Sequence, residues 1–313
     1  MNSPLENYLA FRRSLPARPP LERTMVRARG LDFAVYRTPA VEHALPLLCI
    51  NGGLIFGHEL LWPALAPLAR HRQLVLYDQR GRGASSTPPG IGASRIEFDG
   101  GDMPALRAAL GIERWDVLGH SWGGGIAMLG AAQDQDAVRR LVLVGAVGVT
   151  SEWLPALHEH ALERLQGTQR DTLAALNPAQ LSRPDLDAHA AYTKAFFPAY
   201  FADHDFARAV SAPTGTSATG AVIAARLRRD GYDWRETLRD LRTPALVVHG
   251  AADVLPLAEA VRIAYTLQRA ELRPLEHVGH NPFWESPAEF FALVESFLLA
   301  PSTGVGTESP PDH

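Results

Sequence analysis

The sequence predicts an α/β protein: a mostly parallel, doubly wound sheet with a helical cap inserted late in the chain. Three observations carry this. Short apolar runs recur, each of the kind a strand buried on both faces needs. Helix-compatible segments separate them, which argues for parallel pairing. The alternation then breaks between about 150 and 241, where no strong strand signal appears.

In order, residues 25–38 alternate around Gly30 and read as a hairpin. "PLLCI" (46–50), "QLVLYD" (73–78), "WDVLGH" (115–120), "RLVLVGA" (140–146) and "ALVVHG" (245–250) read as buried strands, with "ELRPLEH" (271–277) a weaker last one. Helices are expected over 60–70, 102–110, 122–133, 257–268 and 287–299. The inserted stretch carries helical patterns such as "LPALHEHALERLQ" and aromatic clusters such as "YTKAFFPAYF". Residues 1–149 and 242–300 are therefore expected to form one core, 150–241 a helical cap, and 301–313 a disordered tail.

Composition narrows the function classes. The 313 residues are 46% hydrophobic and 20% charged, ordinary for a soluble globular protein. Thirty basic and 34 acidic residues give a net charge of −4, with no basic stripe of the kind nucleic-acid binding leaves. A single cysteine, Cys49, excludes an intrachain disulfide and lies in an apolar run. The first 20 residues have no signal-like apolar region and no run reaches 18 apolar residues, so a cytoplasmic protein without membrane contact is expected. There is no internal repeat.

The chemistry centres on "DVLGHSWGGGIAM" (116–128). A predicted strand meets a predicted helix at Ser121, with Gly119 and Gly123 two positions either side. So sharp a turn needs small neighbours and exposes the hydroxyl above the sheet edge, ahead of a helix N-terminus. Composition alone yields roughly 0.1 such G-x-S-x-G matches by chance. A serine hydroxyl needs a base, and the base an orienting acid. Asp253, just past "ALVVHG", and His280, in "EHVGHNPFWESP", lie on loops at the same end of the sheet. Asp233 and Asp240 precede the strand and so leave from the wrong end. His120 is expected to point away from the site, and the "HEH" of His158 and His160 to be solvated, since i,i+2 residues do not share a helix face.

Together these residues resemble the α/β-hydrolase superfamily over nearly all of 24–299. "GHSWGG", "YDQRGRGAS" and "GHNPFWESP" look like the branch of proline iminopeptidases and related amino-acid amidases and esterases. The resemblance implies an oxyanion loop after the third strand, usually H-G-G-P-G. The matching stretch is "NGGLIFG" (51–57), with Asn51 in place of His and Leu54 in place of Pro. By that match the donors are the backbone N–H groups of Gly53, Leu54 and Trp122. Arg80 and Arg82, in the wall stretch of that branch, are expected in structural salt bridges. Aminopeptidases of the branch hold a free amine with cap carboxylates, for which Glu152, Glu159, Glu163, Asp203 and Asp205 are candidates. Phe196, Phe197, Tyr200 and Phe201 either line a substrate pocket or form the cap's own core. The implied function is a serine hydrolase cleaving a small-molecule or short-peptide ester or amide, most nearly a proline iminopeptidase-like amidase. It needs no metal and no organic cofactor. A carboxylesterase, a C–C hydrolase and a non-catalytic ligand receptor are the alternatives.

Overall fold

A computed structural model describes residues 3–300; the tail expected to be disordered lies outside the described residues. Eight strands form one sheet in the order β1-β2-β4-β3-β5-β6-β7-β8. They are β1 (Glu22–Ala28), β2 (Leu31–Arg37), β3 (Leu47–Ile50), β4 (Leu74–Tyr77), β5 (Trp115–His120), β6 (Val138–Val144), β7 (Ala245–Gly250) and β8 (Ala270–Leu275). β1 and β2 form the expected hairpin, and β2 also runs antiparallel to β4. All other pairs are parallel. Arg29 and Gly30 take φ of 47° and 79°, the left-handed pair a two-residue hairpin turn demands.

The central strands bury both faces because helices cover both. Alternate side chains divide between two apolar clusters. Leu48, Ile50, Val117, Leu141 and Leu143 face the helices Ile96–Ala109, Trp122–Gln133 and Leu257–Thr266. Leu47, Cys49, Leu118, Val142 and Val144 face the helix Pro287–Leu299. Burial drives the Cys49 thiol far above its usual range, so it packs as a small apolar group. The edge strand β8 is buried only at Leu275 among its six residues, which is why its signal is weak.

Some expected elements differ. The helix expected over 60–70 is two short 3₁₀ turns, His58–Leu60 and Ala66–Arg70. Pro63 and Pro67 remove backbone donors that a continuous helix would use. The helix expected from 102 begins at Ile96 and carries Pro104 inside it. β6 starts two residues earlier than expected and stops before Gly145, whose φ of 49° breaks the extended backbone. Between β6 and β7 the described chain is helical and irregular, apart from one isolated bridge between Thr150 and Asp233. Among the described residues no helix is long and apolar enough to cross a membrane.

Candidate active site

Strand order brings the chemistry together. β3 neighbours β5, and β7 neighbours β8. The loop after β3 therefore lies beside Ser121, and the loop carrying Asp253 lies beside that carrying His280. Ala251 and Ala252 donate to the carbonyls of Leu275 and Val278 at 2.8 and 2.9 Å, stitching the last two loops.

Ser121 is held at φ 55°, ψ −123°, outside the common regions for a residue with a side chain. Such a conformation costs about 1–3 kcal/mol and persists only when the surroundings impose it. Here they do. A Cβ on Gly119 would lie 2.3 Å from the Gly123 carbonyl oxygen, and one on Gly123 would lie 2.1 Å from that of Ile50. The Ser121 N–H donates to Val144 (3.0 Å), and its carbonyl accepts from Gly124 (2.9 Å) and Val147 (3.3 Å).

His280 Nδ1–H donates to Asp253 Oδ2 at 2.8 Å. Asp253 Oδ1 accepts the Leu255 N–H at 3.0 Å, so this carboxylate orients the ring and does not cap the helix that follows. Burial opposes the Asp253 charge, but His280, His249 and the Leu255 N–H outweigh it and hold the carboxyl below its usual range. The other ring nitrogen, His280 Nε2, is buried without a partner among the described residues. It lines the same cavity as Ser121, a space of about 120 Å³.

The three expected oxyanion donors line that cavity too: Gly53, Leu54 and Trp122. Gly53 and Leu54 take positive φ, 80° and 52°, and a Cβ on the preceding Gly52 would lie 2.6 Å from that of Ser121. Asn51, Gln79 and Arg82 hold this loop. Asn51 donates to the Gly52 and Phe56 carbonyls, both at 3.1 Å, and accepts from Gln79 at its own carbonyl at 2.7 Å. Arg82 Nε donates to the Leu54 carbonyl at 2.7 Å while its guanidinium forks onto Asp99 at 2.8 and 2.9 Å. Arg80 pairs with Asp102. Both arginines thus make the expected salt bridges, and Arg82 also steadies the loop after β3 through the Leu54 carbonyl. The stretch "DQRGRGAS" carries both arginines, but nothing local in it shows that Arg82 reaches the Leu54 carbonyl.

The inserted segment grips the histidine loop. The His280 N–H donates to the Tyr200 carbonyl at 2.7 Å, and the Tyr200 ring stacks on the imidazole with centroids 4.5 Å apart. Glu285 accepts from Gly279 and Asn281 on either side of His280, at 3.1 and 3.2 Å, and from Ala202 of the insertion at 2.8 Å. Arg164 donates to the carbonyls of Ala199 and Phe201, both at 3.1 Å. Burial raises the Glu285 carboxyl to about 7, even though its three backbone donors pull it down.

Several expectations need correction. His120 does not point away. It lines the cavity, stands 4.8 Å from the His280 ring and donates from Nε2 to the His280 carbonyl at 3.1 Å. Burial and the neighbouring His280 lower its pKa to about 3, so it supports the loop as a neutral ring. His158 is not solvated; it is buried and hydrogen-bonded to the Tyr192 hydroxyl at 2.9 Å. Phe196, Phe197 and Tyr200 line the cavity, whereas Phe201 packs away from it against Phe206 and Trp284. The cavity's indole Trp153 and phenol Tyr192 went unnoticed in the sequence. None of the five candidate carboxylates reaches the cavity. Glu152 pairs with Arg262, Asp205 with Arg208, Asp203 caps a helix, and Glu159 and Glu163 are exposed.

One grouping has ligand-like spacing, with His58, Glu59 and Asp78 atoms within 4.8 Å of one another. Both Asp78 oxygens are already engaged, by His58 (2.8 and 2.9 Å), Tyr36 (3.2 Å) and the Ala84 N–H (2.8 Å), which makes it a structural cluster.

Fold and site define an α/β-hydrolase arrangement. The sequence profile of the family described as alpha/beta hydrolase fold matches residues 46–287, and the chain belongs to that family. It is 27% identical over 248 residues to a 2-hydroxy-6-oxo-2,4-heptadienoate hydrolase of Pseudomonas putida, covering 76% of this chain and 83% of that one. It is 24% identical over 270 residues to a proline iminopeptidase of Lactobacillus delbrueckii subsp. bulgaricus, covering 82% and 90%. The solved proline iminopeptidase of Mycobacterium smegmatis superposes with a TM-score of 0.67 at 21% identity, over 88% of this chain and 97% of that one.

Proposed function

We propose that this chain is a serine hydrolase that opens a small acyl substrate through a covalent acyl-enzyme. One observation carries the reading. Ser121, strained at its turn, shares a cavity with the partner-free Nε2 of a histidine whose Nδ1 is fixed by a buried aspartate.

In this reading His280 Nε2 takes the hydroxyl proton as Ser121 Oγ attacks the carbonyl carbon. The carbonyl electron pair moves onto oxygen, where the Gly53, Leu54 and Trp122 N–H groups stabilise it; one such donor is worth about 10²–10³ in rate. Asp253 stabilises the imidazolium. The tetrahedral centre collapses, the leaving group departs with the proton from His280, and water repeats the sequence on the acyl-enzyme. The inserted segment, residues 150–241, serves as a lid. Its Trp153, Leu154 and Leu157 roof the cavity, which supports a short, partly apolar substrate and argues against a folded protein.

Between bond types, the absence of any candidate cap carboxylate from the cavity lining weighs against an aminopeptidase, which needs one for the substrate amine. An ester or an activated carbon–carbon bond is the better-supported target. The test has two arms. A fluorophosphonate probe should label the wild type and not Ser121→Ala, and labelling of that variant would overturn the assignment. Aminoacyl-arylamides should be turned over no faster than their N-acetylated forms; a strong preference for the free amine would restore the peptidase reading.

A further inference from the structure

The cavity over Ser121 contains a cation with no anion. Arg228 lies on the helix Ala218–Asp230 and lines the cavity. Its neighbours on that helix are engaged elsewhere: Arg226 donates to the Ile91 carbonyl, and Arg229 pairs with Asp230 at the surface. Arg228 has neither a hydrogen bond nor an acidic partner among the described residues. Its guanidinium carbon lies 6.0 Å from the centroid of the Tyr192 ring. Among the described residues no Asp or Glu lines the cavity. Leaving a guanidinium half-buried and unpaired is costly, and a ring face offsets only part of that cost. A second donor converges on the same space: Asn281 Nδ2 is buried without a partner beside His280.

We propose that Arg228 anchors a carboxylate carried by the substrate, so that the enzyme acts on carboxylic acids that also hold a scissile carbonyl. This rests on the serine-hydrolase reading of the same site and names its substrate class. The planar guanidinium fork matches a planar carboxylate, and its charge persists at any physiological pH. One fork in a small, largely apolar cavity suits a monoanionic carboxylate better than a phosphate, which calls for more donors. The anchored end also fixes the distance at which the carbonyl meets Ser121, so the contact orients as well as binds.

The test uses two matched pairs of substrates. For the acyl side, the nitrophenyl half-ester of adipic acid is compared with nitrophenyl hexanoate. For the leaving-group side, acetoxybenzoate is compared with phenyl acetate. In at least one pair the wild type should prefer the carboxylate. Arg228→Gln should lower kcat/KM for that substrate by roughly 10–100-fold, the value of a charged hydrogen-bonded contact. The neutral partner should change by less than about threefold, and fluorophosphonate labelling should persist. A binding readout stands apart from turnover: adipate should raise the Tm of Ser121→Ala more than hexanediol does, and should not raise that of Ser121→Ala/Arg228→Gln. Absence of a carboxylate preference in both pairs, or a preference that survives Arg228→Gln, overturns the proposal. If Ser121 is not labelled in the wild type, the failure lies in the serine-hydrolase reading.

Discussion

Gly145 ties the geometry of His280, the base in the proposed reaction, to a single missing methyl group. It follows β6 at φ 49°, and a Cβ there would lie 3.0 Å from His280 Nδ1, 3.2 Å from the His280 carbonyl oxygen and 3.3 Å from Cε1. Gly145→Ala therefore has two separable costs. The left-handed backbone costs an alanine about 1–2 kcal/mol. The new methyl must also move the ring or its loop by a few tenths of an ångström, on the atom that holds Asp253 at 2.8 Å. Misplacement by about 1 Å can cost 10² in rate, so a shift of this size should lower kcat/KM by about threefold to tenfold. Gly111→Ala is the control. It has φ of 66° and nothing within 4 Å of its would-be Cβ, so it carries the backbone cost alone. Urea denaturation and steady-state kinetics on one ester should show similar stability losses in both variants and a kinetic loss in Gly145→Ala only. Full activity in Gly145→Ala, or an equal kinetic loss in Gly111→Ala, would refute the steric argument.

Asp253→Asn should leave the fold in place and lower kcat by about 10⁴, as expected when the orienting acid becomes an amide; circular dichroism beside kinetics checks both halves. Glu285 titrates at about 7 in the folded protein against an ordinary 4.5. The folded state therefore binds more protons between those values, and stability should fall as pH rises through that window by up to about 3 kcal/mol. Denaturation across pH should lose that component in Glu285→Gln. Arg82→Met removes both hydrogen bonds to the buried Asp99 carboxylate, leaving it only Arg80 at 3.8 Å, and releases the Leu54 carbonyl. It should cost about 3–5 kcal/mol by chemical denaturation, and activity should fall as the loop after β3 loosens.

The sheet and the candidate triad were legible because each rests on local pattern. Buried parallel strands need unbroken apolar runs, and a sharp strand-to-helix turn needs glycines at fixed offsets from Ser121. What stayed hidden depends on contacts between distant segments. "ARLRRD" reads as one basic helix end, and only packing shows that Arg228 turns inward while Arg226 and Arg229 do not. Phe201 differs from Phe197 in stacking on Phe206 and on Trp284, the latter more than eighty positions away. His120 was misjudged because the loop it supports returns from the far end of the chain.

The clasp on the histidine loop bears on how lids in this family could be exchanged. Tyr200 supplies the acceptor for the His280 N–H, and Ala202 shares Glu285 with Gly279 and Asn281. A chimera that swapped all of 150–241 for a foreign segment would carry off part of the support of His280, the base in the proposed reaction. The natural graft boundary thus lies inside the insertion, with 199–202 kept by the recipient scaffold. The helix Ala218–Asp230, which lines the cavity through Ala224, Leu227 and Arg228, falls outside that retained stretch, leaving it free to diversify while the His280 loop keeps its support.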